Sequence, residues 1–503
     1  MAPAPSSTQT EELLRKCAKS VGAAQVLRGG DDQVATYCKD WTGRYAATPL
    51  AVVRPKTTQE VSEIVRLCRA HGVPVVPSSG RTGLCGGGMP IADHSSMVVS
   101  LERMNAVRDL DADGRSITVE AGVVLQTVQE RARDSGLIFP LTFGAQGSAM
   151  IGGALSTNAG GSNVVKYGTT RELCIGIEAV MPDGSVINAL TGLRKDNTGY
   201  DLKDLLIGAE GTLGIVTAAV FKLSPIPLTR TTGFLSLAAL SDAPAVLNRL
   251  QDRTGGGVEA FEYMPRAAVD VICRAFPGIR QPLEVPAETG LFFEVASSRA
   301  DDATQGDDGA SHLQDMVFAV LEEMMEEGVI LDAMIAQSEQ QRLDLWTMRE
   351  SVLEAITANG PAYHMDISLP LAAIAEFVAT MDDAMANMGF QPLTVGHLGD
   401  GNLHYALSAG PGQDWKALPL ERAKEEAFDL LLRLKGSFSA EHGIGQSKLD
   451  VMRKLKQESQ LAAMRAIKAA LDPEGLMNPG KLIPAEGGMV SPRQETTPKE
   501  RTR

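Results

Sequence analysis

The sequence predicts an α+β fold in more than one domain, and three observations lead to that prediction. The chain has 503 residues, which is too long for one ordinary hydrophobic core, so two or three domains are expected. Short β-branched runs alternate with helical stretches up to about residue 223, as in 51–55 and 58–71. Glycine is dense in three loops, 80–88, 144–161 and 208–214, whereas long amphipathic helices dominate the second half.

Changes in composition divide the chain. Residues 1–44 are predicted to form an N-terminal helical arm, 45–225 the glycine-rich domain, 226–430 a domain of antiparallel sheet plus helices, and 431–483 a helical C-terminal segment. The tail 484–503 is rich in Pro, Gly, Thr and charge, which predicts disorder. We expect the long helices of the second half at 313–327, 337–358, 370–388, 418–436 and 452–471.

The overall charge favours small-molecule chemistry. Lys plus Arg total 47 against 62 Asp plus Glu, and the resulting formal charge of −15 disfavours binding to nucleic acid or anionic lipid. The six cysteines contain no C-x-x-C pair, so neither an iron–sulfur cluster nor a zinc knuckle is encoded.

The N-terminal segment indicates a cytoplasmic location. Residues 1–20 lack the apolar core of a secretory signal and already carry two glutamates, which also disfavours a mitochondrial presequence. No apolar run approaches the roughly 20 residues of a transmembrane helix. A peripheral membrane association is left open by these observations.

Two histidines flank an Asp-Gly turn in the segment 397–404. Asp-Gly between apolar residues is the strongest short-range signal for a two-residue hairpin turn. Counting outward from Asp400-Gly401 pairs His397 directly with His404. Directly opposed side chains have Cβ atoms about 4.5–5.5 Å apart, so two imidazoles could hold one divalent ion.

Glu441 and His442 add a third ligand and a candidate base. A pair of surface histidines is the alternative interpretation, but only seven histidines occur in 503 residues and three of them fall in these two motifs. We therefore predict a divalent metal at His397, His404 and Glu441, with Zn²⁺ favoured over Mn²⁺ and Fe²⁺.

The first glycine loop, 76–88, matches neither a Walker A loop nor a G-x-G-x-x-G turn. Alone it suits either a pyrophosphate-binding nest of N–H groups or an ordinary tight turn. Together with the segments 144–148, 151–161 and 208–217, it closely resembles the FAD-binding domain of the vanillyl-alcohol-oxidase-type flavoproteins. The resemblance implies a two-part, PCMH-type FAD-binding domain followed by a substrate-binding cap domain.

The histidine hairpin and the segment 441–445 narrow this resemblance to the FAD-linked D-2-hydroxyacid dehydrogenases, which include D-lactate, D-2-hydroxyglutarate and glycolate dehydrogenases. It extends from about residue 41 to 482. Relatives with covalent FAD often carry a histidine where this chain has Arg81, so noncovalent FAD is expected. The resemblance implies FAD contacts at Pro77, Ser79, Gly80, Arg81, Thr82, Gly83, Gly147, Ser148, Gly152, Gly153, Thr157, Asn158, Gly161, Gly214, Ile215 and Asn478.

The same resemblance implies how the reaction runs. FAD accepts a hydride from the substrate carbon, while the metal at the predicted site polarises the substrate hydroxyl and carboxylate oxygens. His442 is then placed as the general base, because imidazole titrates near neutral pH.

Arg349 is predicted to bind a substrate carboxylate. A solvated helix charge is the alternative, but Leu345, Trp346, Leu353 and Ile356 give this helix an apolar face, on which a charge needs a partner. In the hydroxyglutarate members an arginine at this place holds a substrate carboxylate, and the resemblance transfers that role to Arg349.

Three departures from those members concern the substrate. Where they carry a threonine, a lysine and an asparagine, this chain has Leu353, His364 and Ala406. By hairpin counting, Val395 and Ala406 also lie one pair beyond the histidines on the same face, which predicts an apolar pocket wall. A lactate-like or apolar-tailed D-2-hydroxy acid therefore fits better than 2-hydroxyglutarate, although His364 could meet an anion or be a structural histidine.

The chain lacks an internal iron–sulfur site, so we expect an external electron acceptor: a quinone, a cytochrome or an electron-transfer flavoprotein. Three alternatives remain open at this point. They are a D-2-hydroxyglutarate dehydrogenase, an oxygen-using oxidase of the same flavin fold, and a flavin subunit of a glycolate-oxidase-like complex. A homodimer is also left open.

Overall fold

The computed structural model describes residues 7–485 except 30, 308 and 411, and there the chain forms sheets of four, five and seven strands with one short strand pair. The N-terminal elements are α1 (Ser7–Val21), β1 (Val26–Leu27), β2 (Ala51–Val53), α2 (Thr58–Ala70), β3 (Val75–Ser78) and β4 (Met97–Ser100). The first sheet has the order β1-β2-β4-β3, in which β4 runs parallel to both β2 and β3.

Helix α2 illustrates how the sequence fixes this layer. The Thr57 side chain accepts the backbone N–H of Glu60, so the helix begins with a satisfied cap. Its buried residues Val61, Ile64 and Cys68 follow helical spacing and pack into the core of the first sheet.

The five-stranded sheet is antiparallel throughout. It is built within the segment that contains β5 (Val107–Asp111), β6 (Ser116–Glu120), α3 (Leu125–Asp134), β7 (Leu137–Ile138), α4 (Ile151–Thr157), α5 (Val164–Tyr167), α6 (Thr170–Leu173), β8 (Cys174–Val180), β9 (Val186–Ala189), α7 (Leu202–Leu206), β10 (Ile215–Lys222) and β11 (Ser224–Pro225). The strand order is β5-β6-β10-β8-β9, and β7 pairs separately with β11.

The seven-stranded sheet is also antiparallel, with the order β15-β12-β14-β13-β17-β18-β16. Its segment comprises β12 (Thr229–Leu237), α8 (Ala243–Thr254), β13 (Val258–Tyr263), α9 (Arg266–Ala275), β14 (Thr289–Ser297), α10 (His312–Glu326), β15 (Ile330–Ile335), α11 (Glu339–Glu350), α12 (Val352–Asn359), β16 (Ala362–Ser368), α13 (Ile374–Asn387), β17 (Phe390–His397) and β18 (Asn402–Ala409).

The two faces of this sheet differ in chemistry. One face carries Phe261 and Tyr405 and is covered by α8, α10 and α13, forming the largest apolar core. The other face packs against α9, α11 and α12, and it bears buried charged groups such as Glu262 and Asp366 among apolar neighbours. Because side chains alternate along a strand, β13 and β16 place these charges on the same surface of the sheet, with β17 and β18 between them.

The C-terminal elements are α14 (Leu420–Arg433), α15 (Leu449–Leu455) and α16 (Glu458–Leu471). After α16 the chain returns to the first sheet, where Met477 forms a parallel bridge with Val75. The backbone N–H of Asn478 donates to the Val75 carbonyl at 2.7 Å. This return places Asn478 beside the first glycine loop.

Two predicted helices are each interrupted. The helix expected at 337–358 is α11 followed by α12, because Ser351 has φ −78° and ψ −6° and ends the first helix. The helix expected at 452–471 is α15 followed by α16, with the extended residues Lys456 and Gln457 between them. Most of the predicted disordered tail, 486–503, lies outside the described residues.

The histidine hairpin has a different register from the predicted one. His397 pairs with Asn402 and Val395 with His404, so the loop contains four residues rather than two. Gly401 adopts φ +84°, and its N–H reaches back to the His397 carbonyl, which closes this longer loop. The error amounts to two residues, so both histidines stay on the same face of the sheet as diagonal neighbours.

Every helix in the described part of the chain is too short or too polar to span a membrane.

Candidate active site

The two hairpin histidines meet on the charged face of the seven-stranded sheet. Their Nε2 atoms lie 3.4 Å apart, and the ring planes are nearly perpendicular at 85°. Nδ1 of His397 donates to Oε1 of Glu262 at 2.8 Å. In the neutral imidazole this hydrogen bond fixes the tautomer of His397 and leaves the Nε2 lone pair directed toward Nε2 of His404.

Glu441 completes a three-residue cluster with these histidines. One donor atom from each of His397, His404 and Glu441 lies within 4.8 Å of the others. Burial raises the pKa of Glu441 to about 7, because the carboxylate is poorly solvated and faces other carboxylates. A nearby cation would stabilise the ionised form of this buried carboxylate. Together with the two imidazole Nε2 atoms, it fits a divalent cation such as Zn²⁺.

Asp366 forms a second candidate cluster with His404 and His442. Its Oδ2 already accepts the backbone N–H groups of Ala440, Glu441 and His442 at 3.2, 3.1 and 2.9 Å. Oδ1 accepts the Asn402 side-chain amide at 3.1 Å. These four donors assign Asp366 to holding the 440–442 turn rather than to holding a cation.

The charge of Asp366 is strongly favoured. Burial alone would raise its pKa, but the neighbouring His442, Lys448 and His404 charges and the backbone N–H of His442 hold the pKa well below the usual range. The carboxylate therefore remains a firm acceptor for the turn that carries both Glu441 and His442.

His442 lies directly beside the histidine pair. Its ring stacks on His404 with centroids 5.8 Å apart and an interplanar angle of 13°, and its Nδ1 lies 3.6 Å from Asp366. Burial lowers the pKa of His442 more than Asp366 raises it. The imidazole is therefore neutral at pH 7 and able to accept a proton.

Arg349 reaches the same place from helix α11. Its residue is 9% exposed, and its Nε donates to Oε2 of Glu262 at 2.7 Å. Its Nη2 is buried without a hydrogen-bond partner in the described part of the chain. A buried guanidinium N–H without an acceptor is costly, so this atom marks a place for an anionic ligand.

Glu262 therefore joins Arg349 to His397. It is fully buried, and burial alone would raise its pKa, but the charges of His397 and Arg349 lower the pKa to about 2. Sequence reasoning missed Glu262 because its partners lie far along the chain. The available signal was a carboxylate between the aromatic residues Phe261 and Tyr263 on a strand that is buried throughout.

Of the three residues that depart from the hydroxyglutarate pattern, His364 and Ala406 are direct cross-strand neighbours, whereas Leu353 lies on a separate helix. Leu353 lies on α12, beyond the break at Ser351, and is 48% exposed, so the continuous apolar face predicted around Arg349 is wrong at this position. His364 is exposed and pairs across strands with Ala406.

Ala406 is 1% exposed, as is Val395, and both pack in the apolar core between the sheet and its helices. These two residues fill the core rather than forming an open pocket wall. Val395 also lies directly opposite His404, not one pair beyond the histidines as the predicted register required.

The predicted FAD residues come from loops that contact one another. Ser79 follows β3, and its Oγ donates to the Ala121 carbonyl at 2.9 Å. A methyl group added at Gly153 would lie 2.8 Å from the Ser79 carbonyl, and one at Gly80 would lie 2.7 Å from the Met150 nitrogen. Glycine is required at these approaches because any side chain would separate the loops.

The remaining FAD residues fall into two groups. Thr82, Gly83, Gly147 and Ser148 are partly or fully exposed, whereas Gly152, Gly161, Gly214 and Ile215 are buried. Thr157 Oγ1 donates to the Gly153 carbonyl at 3.2 Å, and Asn158 Oδ1 accepts the Arg171 N–H at 2.9 Å. The Ile215 side chain belongs to the first-sheet core, so only its backbone is available to a ligand.

Arg81 already has protein partners. Its guanidinium lies 4.3 Å from the centre of the Tyr37 ring, and Nη1 lies 3.8 Å from Glu102. The residue adopts φ +56°, an uncommon backbone conformation outside glycine. Pro77, at the start of the loop, contacts the third glycine loop, since a methyl group at Gly211 would lie 2.9 Å from its ring.

Asn478 connects two of the glycine loops. Its amide donates to the carbonyls of Gly87 and Glu210 at 3.0 and 2.7 Å. Its Oδ1 is buried and has no partner among the described residues, which leaves one acceptor for a ligand. Close glycine loops with such an unused acceptor fit a large cofactor such as FAD.

Glu210 ties the third glycine loop to the metal and base segment. Its two carboxylate oxygens accept the N–H groups of Ile444 and Gly445, each at 2.7 Å. Gly160 approaches from the other side, where an added methyl group would lie 2.7 Å from Oε1 of Glu441. The predicted FAD loops and the histidine cluster therefore form one continuous site.

Most of the chain matches known flavoprotein families. Residues 49–190 match the FAD binding domain family, and residues 226–482 match the C-terminal domain of FAD linked oxidases. A D-2-hydroxyglutarate dehydrogenase from Xanthomonas citri pv. viticola is 36% identical over 452 residues, covering 89% of this chain and 92% of that protein. The mitochondrial D-2-hydroxyglutarate dehydrogenase of Bos taurus is 34% identical over 445 residues, covering 88% and 79%.

Solved structures show the fold. A substrate-bound p-cresol methylhydroxylase superposes with a TM-score of 0.71 at 16% identity, over 95% of this chain and 98% of that one. The 4-ethylphenol oxidase of Gulosibacter chungangensis gives 0.70 at 19% identity, over 96% and 99%. The predicted α+β, PCMH-type architecture is therefore confirmed, and the chain belongs to the FAD-linked oxidase family, in its branch of FAD-dependent D-2-hydroxyacid dehydrogenases.

Proposed function

We propose that this enzyme oxidises a small or apolar-tailed D-2-hydroxy acid to the 2-oxo acid, with a divalent cation held by His397, His404 and Glu441. The observation that carries the proposal is the buried, unpartnered Nη2 of Arg349. This guanidinium and His397 both donate to the Glu262 carboxylate. The proposed anion-binding group and one proposed cation ligand are therefore held by the same residue.

The site divides the work of the reaction among named groups. Bound FAD supplies the hydride acceptor, and the cation would supply Lewis-acid polarisation of the substrate oxygens. Arg349 binds the substrate carboxylate through Nη2. His442 takes the hydroxyl proton on its neutral imidazole, and Asp366 holds the turn that keeps His442 in reach.

The substrate tail is assigned from the residues that stand where the hydroxyglutarate members of the family carry polar groups. Leu353 and Ala406 are apolar, and Ala406 is buried in the core. His364 is the exposed polar group on this strand, so a second carboxylate would find fewer fixed partners than in the related hydroxyglutarate enzymes. D-2-hydroxyglutarate is nevertheless the second candidate, because proteins of that name match most of this chain at about one third identity.

Flavin reduction tests the proposal directly. Purified protein should be yellow and should bleach anaerobically with D-lactate or D-2-hydroxyisocaproate but not with the L isomers. Pretreatment with a chelator should abolish bleaching, and adding back Zn²⁺ or Mn²⁺ should restore it. Bleaching that is unchanged by complete metal removal contradicts the cation assignment, whereas a wide preference for D-2-hydroxyglutarate contradicts the tail assignment.

The electron acceptor is tested with the same preparation. We propose an external carrier such as a quinone, a cytochrome or an electron-transfer flavoprotein. Turnover with an artificial dye, without matching release of hydrogen peroxide, is expected. Peroxide formation at the rate of substrate loss would instead identify an oxidase, and an isolated chain inert with dye would identify a subunit that needs partners.

A further inference from the structure

We propose that Glu262 is a positioning residue that holds the metal ligand His397 and the substrate-binding Arg349 at a fixed separation. This inference rests on the proposed function, and it names the residue that orients the metal ligand and the substrate-binding arginine. A substrate carboxylate that must meet both a cation and a guanidinium requires the two to be set relative to each other.

The geometry divides the two oxygens of one carboxylate between the two groups. Oε1 accepts from Nδ1 of His397 at 2.8 Å, and Oε2 accepts from Nε of Arg349 at 2.7 Å. The Glu262 side chain has 0% exposure, so water does not compete for either oxygen. Each bond leaves the functional atom of its partner free: Nε2 of His397 and Nη2 of Arg349.

The sheet register also places Glu262 beside His397. Glu262 lies on β13 directly opposite His397 on β17, and β13 and β17 share only this pair and the next one in the described chain. On its other side, β13 is held by β14, where Glu262 faces Phe292. The residue thus stands at a sheet position where the side chain has little freedom to move.

The charge of Glu262 also has a role. One carboxylate contacts both groups, Nε of Arg349 at 2.7 Å and Nδ1 of His397 at 2.8 Å, so the guanidinium lies near the proposed cation site. A carboxylate between the guanidinium and that site reduces their repulsion. Glu262 therefore permits two positive groups to lie close enough for one substrate carboxylate.

The test uses Glu262→Gln and Glu262→Asp, with Glu294→Gln as the matched control. Glu294 is also buried, lies on the same face of the neighbouring strand, and binds an arginine, Arg342, at 2.7 Å, but it makes no contact with the histidine cluster. Each variant is measured as the FAD-loaded enzyme for Zn²⁺ affinity by chelator competition, for bound flavin absorbance, and for kcat and KM with the best D-2-hydroxy acid.

For Glu262→Gln we expect Zn²⁺ affinity to fall roughly 10- to 100-fold, as is typical when the hydrogen-bond partner of a ligand histidine is lost. KM should rise by a larger factor than kcat falls, because the Arg349 guanidinium is no longer oriented by a carboxylate. Glu262→Asp keeps the charge, but its side chain is too short to reach both partners. Relative to Glu262→Gln, it should therefore restore Zn²⁺ affinity to a greater extent than it restores KM. Glu294→Gln should keep wild-type Zn²⁺ affinity and KM even if its Tm is lower.

Wild-type Zn²⁺ affinity and KM in Glu262→Gln would overturn the inference, as would an equal loss in Glu294→Gln. If Glu262→Gln fails to retain flavin, the comparison of Glu262→Asp with Glu294→Gln decides by the same criteria. Failure of the proposed function gives a different result, since wild-type enzyme would then bind no metal or would not bleach with any D-2-hydroxy acid.

Discussion

At the scale of single residues, the site depends on buried carboxylates that touch no substrate. Asp366 is the clearest case, because one oxygen gathers three consecutive backbone N–H groups at 440–442. The turn that presents both Glu441 and His442 is thereby fixed to strand β16. Burying the ionised Asp366 carboxylate costs desolvation free energy, and hydrogen bonds from at least four donors offset this cost.

Asp366→Asn should lower kcat/KM by roughly 10- to 100-fold, since an amide cannot offer a negative oxygen to three N–H donors. Steady-state kinetics on flavin-loaded protein measures this loss. Asp382→Asn is the matched control, because Asp382 accepts the Tyr405 hydroxyl at 2.8 Å on the opposite face of the same sheet. Equal losses in both variants would mean that Asp366 acts only through general stability.

At the scale of elements, the loop 443–446 locks the catalytic turn to the glycine loops. The N–H of Gln446 donates to the Cys85 carbonyl at 2.8 Å, while Glu210 accepts the N–H groups of Ile444 and Gly445. Gly445 has φ +52°, and an added methyl group would overlap the Cys85 carbonyl oxygen. The segment thus contacts two predicted FAD loops, through its backbone N–H groups and through the Gln446 side chain, which donates to the Gly86 carbonyl at 3.0 Å.

Gly445→Ala should therefore lower bound FAD per chain at least tenfold, because the first glycine loop must move away to admit a methyl group. The ratio of flavin absorbance to protein absorbance after gel filtration measures this. Gly475→Ala is the control, since Gly475 has φ +65° but open space around it, and it should cost only about 1 kcal/mol of stability. Full flavin occupancy in Gly445→Ala would contradict the proposed contact.

The α+β class and most long helices could be predicted from the sequence because hydrophobic periodicity is local, whereas the two-part FAD-binding architecture was implied by the family resemblance of the glycine loops. The triad His397, His404 and Glu441 was also predicted, even though the hairpin register was wrong, since an error of two residues preserves the face. Glu262, Asp366 and Glu210 could not be predicted in the same way. Their partners are supplied by distant strands and loops. The sequence alone does not distinguish a buried Asp or Glu from a solvent-exposed one.

At the scale of the whole molecule, the flavin and substrate parts are joined by a buried polar contact. The Tyr167 hydroxyl donates to Glu259 on β13 at 2.5 Å, and Lys166 Nζ donates to the Ala296 carbonyl at 2.8 Å. Glu259 precedes Glu262 on the same strand, so α5 of the flavin part supports the strand that carries the proposed positioning residue.

Stability of the whole chain should depend on pH through Lys481. This residue is 3% exposed, and burial lowers its pKa to about 7, against roughly 10.4 in an unfolded chain. Between these values the unfolded state binds more protons, so this group makes folding more favourable as pH rises. Its contribution should grow by roughly 2 kcal/mol from pH 7 to pH 9.

Comparison of Tm for wild type and Lys481→Met at pH 7, 8 and 9 measures this contribution. Relative to the variant, wild type should gain several degrees across the series. The exposed Lys456→Met serves as control and should show a constant difference. A constant difference in Lys481→Met as well would mean that the Lys481 ammonium is not destabilised by burial.

The bridge between Val75 and Met477 has a consequence for biosynthesis. A growing polypeptide emerges from the ribosome in order, so the first sheet and its glycine loop are free long before Asn478 arrives to contact Gly87. The complete cofactor cradle, by contrast, closes only when nearly all of the chain has been translated, which makes capture of flavin one of the last events in maturation rather than a nucleus for folding.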